Sequence, residues 1–136
     1  MNNLLTKLLF FVGIAILLTA CASSSILVGK QRPPIDPSQV KVYLTPPAKF
    51  EEVALLDASS KSSFAITDQG KMDKVIERLK EEAAKLGANG ILLRSTGDQA
   101  GGVVGTATTT GNFSSGFGAP IFHKSGSGIA IYVTTE

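Results

Sequence analysis

The sequence predicts an α+β domain in which one amphipathic helix packs on a small, mostly antiparallel sheet of four to five strands. Three observations carry this prediction: a stripe of apolar residues at 72–86, and alternating apolar and polar residues at 40–45 and 128–134. Apolar residues spaced three or four apart share one face of a helix, whereas alternation places them on one face of a strand. The domain is expected to occupy residues 40–136.

Two strands are expected before the helix. Residues 40–45 combine β-branched and aromatic side chains, and Pro46 and Pro47 then end the pattern because proline cannot continue a strand inside a sheet. Residues 50–58 are rich in valine and leucine and predict the second strand. Residues 64–66 predict either a short third strand or an extended approach to the helix.

The helix is predicted over residues 72–86. Its apolar residues form one stripe and its charged residues occupy the opposite face, so one face should pack on the sheet and the other should meet solvent. Gly87 follows directly and fits the left-handed conformation that ends many helices. The stripe comprises Met72, Val75, Ile76, Leu79, Ala83 and Leu86.

Two further strands are predicted at 91–96 and 128–134, and a Gly-rich insertion at about 97–127 separates them. The insertion holds eight of the fourteen glycines, and its charges are limited to one aspartate and one lysine. Residues 103–110 contain enough β-branched side chains for a Gly-rich hairpin. We expect partial disorder with some docking on the sheet, because ordering glycine carries a high entropy cost.

Three phenylalanines of the insertion, Phe113, Phe117 and Phe122, form the predicted partner surface. They would either pack back on the sheet as part of an ordered loop or remain exposed as a contact surface. Large apolar side chains that stay exposed together are typical of interaction sites. The insertion is therefore the segment in which the sequence predicts a binding role.

The first twenty residues predict a lipoprotein signal peptide. An uncharged apolar run at 8–20 is too short for a bilayer-spanning helix, which needs roughly 20 apolar residues. It ends in Leu18, Thr19 and Ala20, the expected recognition segment for a signal peptidase, directly before Cys21. Leu-Thr-Ala-Cys resembles the lipobox of bacterial lipoproteins, and this resemblance implies that Cys21 becomes the lipid-bearing first residue.

Residues 21–39 predict the lipidated cysteine and a tether. This stretch is polar or small and contains Pro33, Pro34 and Pro37, and proline favours extended geometry, so no folded element is expected before residue 40. The residue directly after Cys21 is not an aspartate. The resemblance to enterobacterial lipoproteins therefore implies a lipid anchor in the outer membrane, with the domain facing the periplasm.

The charge balance and residue inventory exclude several functional classes. The formal net charge is +2 and no basic block occurs, which argues against a nucleic-acid partner. One histidine, His123, expected in an exposed loop, and one cysteine cannot build a His- or Cys-based metal cluster. No serine-hydrolase elbow or phosphate-binding loop is present. We therefore expect no catalysis, no cofactor and no metal.

The order of the elements is similar to that of a known family. Strands at 40–43 and 50–54, a helix, the sequence AAKLGANGILL at 83–93 and a late strand resemble the small α+β domain of RcsF-type envelope-stress lipoproteins and their YbjQ-like relatives. The resemblance implies a binding or sensing module that contacts envelope proteins. A structural or assembly accessory role, with self-association as in YbjQ-like domains, and a small enzyme are the alternatives. RcsF-type domains carry disulfides, which one cysteine cannot provide.

Overall fold

The computed structural model describes residues 23–111 and 113–135, the side chains of 109, 110 and 113–115 excepted. The described chain forms five strands, one long helix and a short 3-10 turn at Pro37–Gln39. In chain order the strands and the helix are β1 Ser23–Leu27, β2 Lys41–Tyr43, β3 Lys49–Ser59, α1 Asp68–Lys85, β4 Gly90–Thr110 and β5 Phe113–Thr135.

The five strands form one mixed sheet in the order β1-β3-β5-β4-β2. β2 and β4 run parallel, and the other three neighbouring pairs are antiparallel. Helix α1 packs on one face of this sheet through contacts with β3, β4 and β5. The predicted α+β class, with one helix on a small sheet, is confirmed.

The predicted helix stripe forms the core. Val75, Leu79 and Ala83 are fully buried and pack against strand residues that include Ile91 and Ala130. The helix begins earlier than predicted, at Asp68, because the Thr67 side chain accepts a hydrogen bond of 3.1 Å from the Gly70 N–H. The apolar pattern did not show this first turn, since it carries no apolar residue before Met72.

Gly87 ends the helix in the predicted left-handed conformation, with φ of +71°. A Cβ at this position would lie 2.5 Å from the carbonyl oxygen of Pro33, so the glycine also permits a close approach of the preceding chain. That chain is held by two main-chain hydrogen bonds: Arg32 donates to Leu86 and Ile35 donates to Ala84, each at 3.0 Å. The proline-containing segment is thus docked across the helix end.

The predicted tether contains a strand. Each residue of β1 from Ser23 to Leu27 is in register with one residue of β3, from Ala58 to Ala54. The prediction that no folded element precedes residue 40 is therefore wrong. Edge pairing depends on main-chain hydrogen bonds to β3, and these do not require alternating side chains within β1.

The other strand predictions are confirmed with shifted boundaries. β3 and the end of β5 include the predicted residues 50–58 and 128–134, whereas β2 is shorter than the predicted 40–45. Residues 64–66 form no strand, so the first of the two alternatives is wrong. His123 lies in β5, opposite Gln99, and not in a loop.

The Gly-rich insertion is a continuous β-hairpin. β4 and β5 pair antiparallel from Gly90↔Ile131 to Thr110↔Phe113, with register shifts between Leu93 and Ser95 and between Ala100 and Gly102. Gly111, with φ of +62°, begins the tight turn between them, where a left-handed conformation suits glycine. The predicted hairpin is confirmed, and the expected partial disorder is replaced by paired strands.

The sheet face opposite the helix, called the open face, carries one apolar row across all five strands. Register places Ile26, Leu55, Ile129, Leu92 and Tyr43 side by side. Leu92 and Ile129 are buried in a second small core, whereas Ile26 and Leu55 are 62% and 43% exposed. The open face is therefore partly uncovered near β1.

Candidate functional site

The hairpin extends well beyond the sheet. β3 pairs with β5 only as far as Ser59↔Ser125, and β2 pairs with β4 only as far as Tyr43↔Leu92. Residues 98–110 and 113–124, called the arm, therefore pair only with each other. At about 3.3 Å per residue the arm is about 40 Å long.

Charged side chains fix the base of the arm to the helix. The Lys124 Nζ lies 2.5 Å from the Asp98 carboxylate across the hairpin and 3.8 Å from the Asp68 carboxylate at the start of α1. The hydrogen bond to Asp98 raises the pKa of Lys124 above its usual value. Lys71 donates from Nζ to the Phe122 carbonyl at 3.1 Å. These contacts set the direction in which the arm leaves the domain.

The loop after β3 docks on the same base through a buried serine. The Ser60 N–H donates to the Lys124 carbonyl at 2.7 Å, and the Lys124 N–H donates to the Ser60 hydroxyl at 2.9 Å. Arg78 of the helix donates to the carbonyls of Ser59 and Lys61. The loop is thereby ordered, and it continues to two fully exposed apolar side chains, Phe64 and Ile66.

The start of β1 lies beside this base. Register aligns Ser23 with Ala58, Ala58 with Gly126, and Gly126 with Thr96, two rows before the first pair of the arm. The Ser23 hydroxyl donates to Glu82 of the helix at 2.9 Å. Burial opposes ionisation of Glu82, but the hydrogen bonds from Lys85 and Ser23 outweigh it and lower the pKa of this carboxyl.

The predicted lipidation site is close to the arm. Leu18, Thr19, Ala20 and Cys21 lie outside the described residues. Cys21 is only two residues before Ser23, and two residues span at most about 7 Å. Any lipid on Cys21 is therefore attached at the end of the sheet from which the arm projects.

The three phenylalanines of the predicted partner surface do not form one surface. Phe117 is 94% exposed, and Phe122, five residues later on the same strand, points to the opposite face of the arm. Phe113 begins β5, and its side chain lies outside the described part. Phe117 and Phe122 are five residues apart, and this odd spacing places their side chains on opposite faces only if the segment is a strand. The sequence did not establish that it is one.

One face of the arm is apolar and uncharged. Val104, paired with Ala119, and Thr106, paired with Phe117, line a shallow groove of about 370 Å³. Ile121 lies on the same face by alternation. We call these five residues the apolar face of the arm. The opposite face also exposes apolar side chains, with Val103 and Phe122 70% and 50% exposed. It carries the charged base, where Asp68, Lys71, Asp98 and Lys124 border a cleft of about 470 Å³ that Ile121 also lines.

The described residues contain no cluster of metal-ligating side chains. Within 23–111 and 113–135, no three histidine, cysteine, aspartate or glutamate side chains are grouped so as to hold a metal ion. Helix α1, the one long helix in this part of the chain, lacks the apolar length needed to cross a bilayer.

Sequence reasoning missed Ser60, Asp68 and Lys71, because only the tertiary fold brings them to the arm.

Comparison with known proteins gives one distant likeness. No family model matches the chain, and no curated protein matches it. The crystal structure of a Francisella virulence factor, FvfA, is similar at 19% sequence identity; the alignment covers 78% of this chain and 94% of that one, with a TM-score of 0.45. A likeness at this level carries no argument about function.

Proposed function

We propose that the chain is an outer-membrane lipoprotein, anchored by lipid on Cys21, whose domain faces the periplasm as a non-catalytic binding or sensing module of the RcsF type. The observation that carries this proposal is the sequence Leu18-Thr19-Ala20-Cys21 at the end of an uncharged apolar run.

The anchor is tested on the wild-type protein. We expect the mature protein, purified from membranes and digested, to yield an amino-terminal peptide that begins at Cys21 and carries acyl chains, as mass spectrometry would show. Two lipid signals suffice for stable anchoring, since each buried methylene contributes about 0.8 kcal/mol. An unmodified peptide that contains residues 18–21 intact would overturn the anchor.

A structural or assembly role for identical copies is the second candidate, and the open face favours it. Ile26 and Leu55 are neighbours in register and both are exposed. Ile26 lies on the edge strand β1, whose outer side has no partner strand among the described residues. Exposed edges and apolar side chains are typical of self-association.

Crosslinking in native membranes distinguishes the two roles. We expect a binding module to give products with other envelope proteins. Products at twice the mass of the chain, lost when Leu55→Lys places a charge in the exposed row, would support self-assembly instead. If neither product forms, both binding roles are wrong.

A further inference from the structure

The apolar face of the arm lies beside the proposed lipid anchor. Ser23 is two rows from the base of the arm, and Cys21 is two residues before Ser23, so the arm leaves the domain within a few residues of the anchored end. With β1 folded onto the sheet, no long tether separates the domain from the lipid. A domain held this way stays next to the bilayer surface.

The composition of the arm suits a lipid surface. Residues 99–122 contain no aspartate, glutamate, lysine or arginine. Phe117 and Val104 are 94% and 62% exposed on the apolar face, where they would otherwise meet water. Charged groups are costly in a bilayer, whereas exposed aromatic and aliphatic side chains are stabilised there.

The backbone of the arm sets the depth that it can reach. β4 beyond Leu92 and β5 before Ser125 each have one edge without a partner strand among the described residues. Unpaired N–H and C=O groups are not tolerated in the hydrocarbon region, so a single arm with open edges does not cross it. At the interface the edges stay hydrated while the side chains of one face reach the acyl chains.

We propose, on the basis of the proposed Cys21 anchor, that the arm lies flat on the membrane with Val104, Thr106, Phe117, Ala119 and Ile121 in contact with lipid. A lipid bilayer is the expected binding partner of this face, because the anchored residue and the uncharged arm share one end of the sheet. The opposite face, with its charged base, faces the domain and solvent.

The natural chain contains no tryptophan, so a single introduced indole reports on one position. Phe117→Trp places the probe on the apolar face, and Val104→Trp places it on the same face from the neighbouring strand. Thr135→Trp is the matched control, because Thr135 is exposed and lies at the far end of β5, ten residues and about 30 Å from Ser125.

Each full-length variant is purified from membranes in its lipidated form and reconstituted into vesicles of phosphatidylethanolamine and phosphatidylglycerol, with or without brominated acyl chains. We expect blue-shifted emission and strong quenching by the brominated lipid for Phe117→Trp and Val104→Trp. Thr135→Trp should keep the emission of an indole in water, with no quenching by lipid. Circular dichroism of each variant checks that the fold is retained.

The outcomes separate the inference from the proposed anchor. Lipidated protein that floats with the vesicles while both arm probes remain unquenched would overturn the inference and leave the anchor intact. A blue shift without quenching by brominated lipid would place the arm against protein, either a partner or a second copy, and would also overturn it. Protein that carries no acyl chain and does not float would show the anchor to be wrong, and the inference would fail with it.

Discussion

Replacing Cys21 by serine should abolish the incorporation of labelled fatty acid and stop removal of the signal peptide. The thiol supplies the sulfur for the thioether to diacylglycerol in the lipobox to which this sequence is similar, and serine has none. No second cysteine occurs in the sequence that would substitute for it. We expect the loss of label to be complete, measured by labelling cells with radioactive or clickable palmitate and recovering the protein.

The fold should be unaffected by this change. Because Cys21 is the only cysteine, no disulfide is lost, and β1 begins two residues later. The matched control is Ser24→Ala, an exposed position in β1 that should label like the wild type. Label that persists in Cys21→Ser would show that the lipobox assignment is wrong.

Replacing Leu79 by alanine should destabilise the domain by about 3 kcal/mol, within the 2–5 kcal/mol found for buried leucines. Leu79 is 0% exposed at the centre of α1, in the main core. It packs over the sheet beside Val75 at Gly126, where a Cβ would lie 2.8 Å from the Val75 Cγ1 and in ordinary contact, 3.6 Å, with the Leu79 Cδ1. The small residue on β5 thus fits the large residue on the helix, and truncation leaves a cavity.

Thermal or urea unfolding followed by circular dichroism measures this loss. At roughly 4–8 °C per kcal/mol for a small domain, the midpoint should fall by about 12–24 °C. Leu44→Ala is the matched control, because Leu44 is 78% exposed, and its effect should stay within about 0.5 kcal/mol. Equal losses in the two variants would mean that the helix does not pack on the sheet as described.

The helix was predictable because its signal is local and periodic. Val75, Leu79 and Ala83 repeat every four residues, and this spacing alone places them on one face. Gly87 likewise indicates a helix end by its own conformational freedom, and the structure has it at φ of +71°. Such features depend on neighbouring residues in the chain, so a single sequence is enough to show them.

The strand at Ser23–Leu27 was not predictable in the same way. Its residues show no alternation and precede a proline-rich stretch, so the local pattern indicates an extended tether. It becomes a strand because the edge of β3 offers unpaired main-chain groups. That edge exists only when the sheet has formed, and it lies about thirty residues away in the sequence, at Ala54 to Ala58.

The arm shows the same limit for a different reason. Glycine content indicates a high entropy cost of ordering, but it does not measure the gain from cross-strand hydrogen bonds along a register that runs from Asp98↔Lys124 to Thr110↔Phe113. Alternation then divides Phe117 from Phe122, which composition alone had grouped together. The partner surface predicted from residue type was therefore wrong, because strand geometry places Phe117 and Phe122 on opposite faces of the arm.

By itself the sequence determined the helix, the four strands after residue 40 in outline and the α+β class, since these depend on periodic burial of apolar side chains within short segments. It also predicts the signal peptide and the lipid on Cys21. Only the tertiary structure shows that β1 forms one edge of the sheet and that the arm projects from the end nearest the predicted anchor. Strand partners and their register arise from main-chain hydrogen bonds between distant segments, and a local pattern of side chains does not specify them.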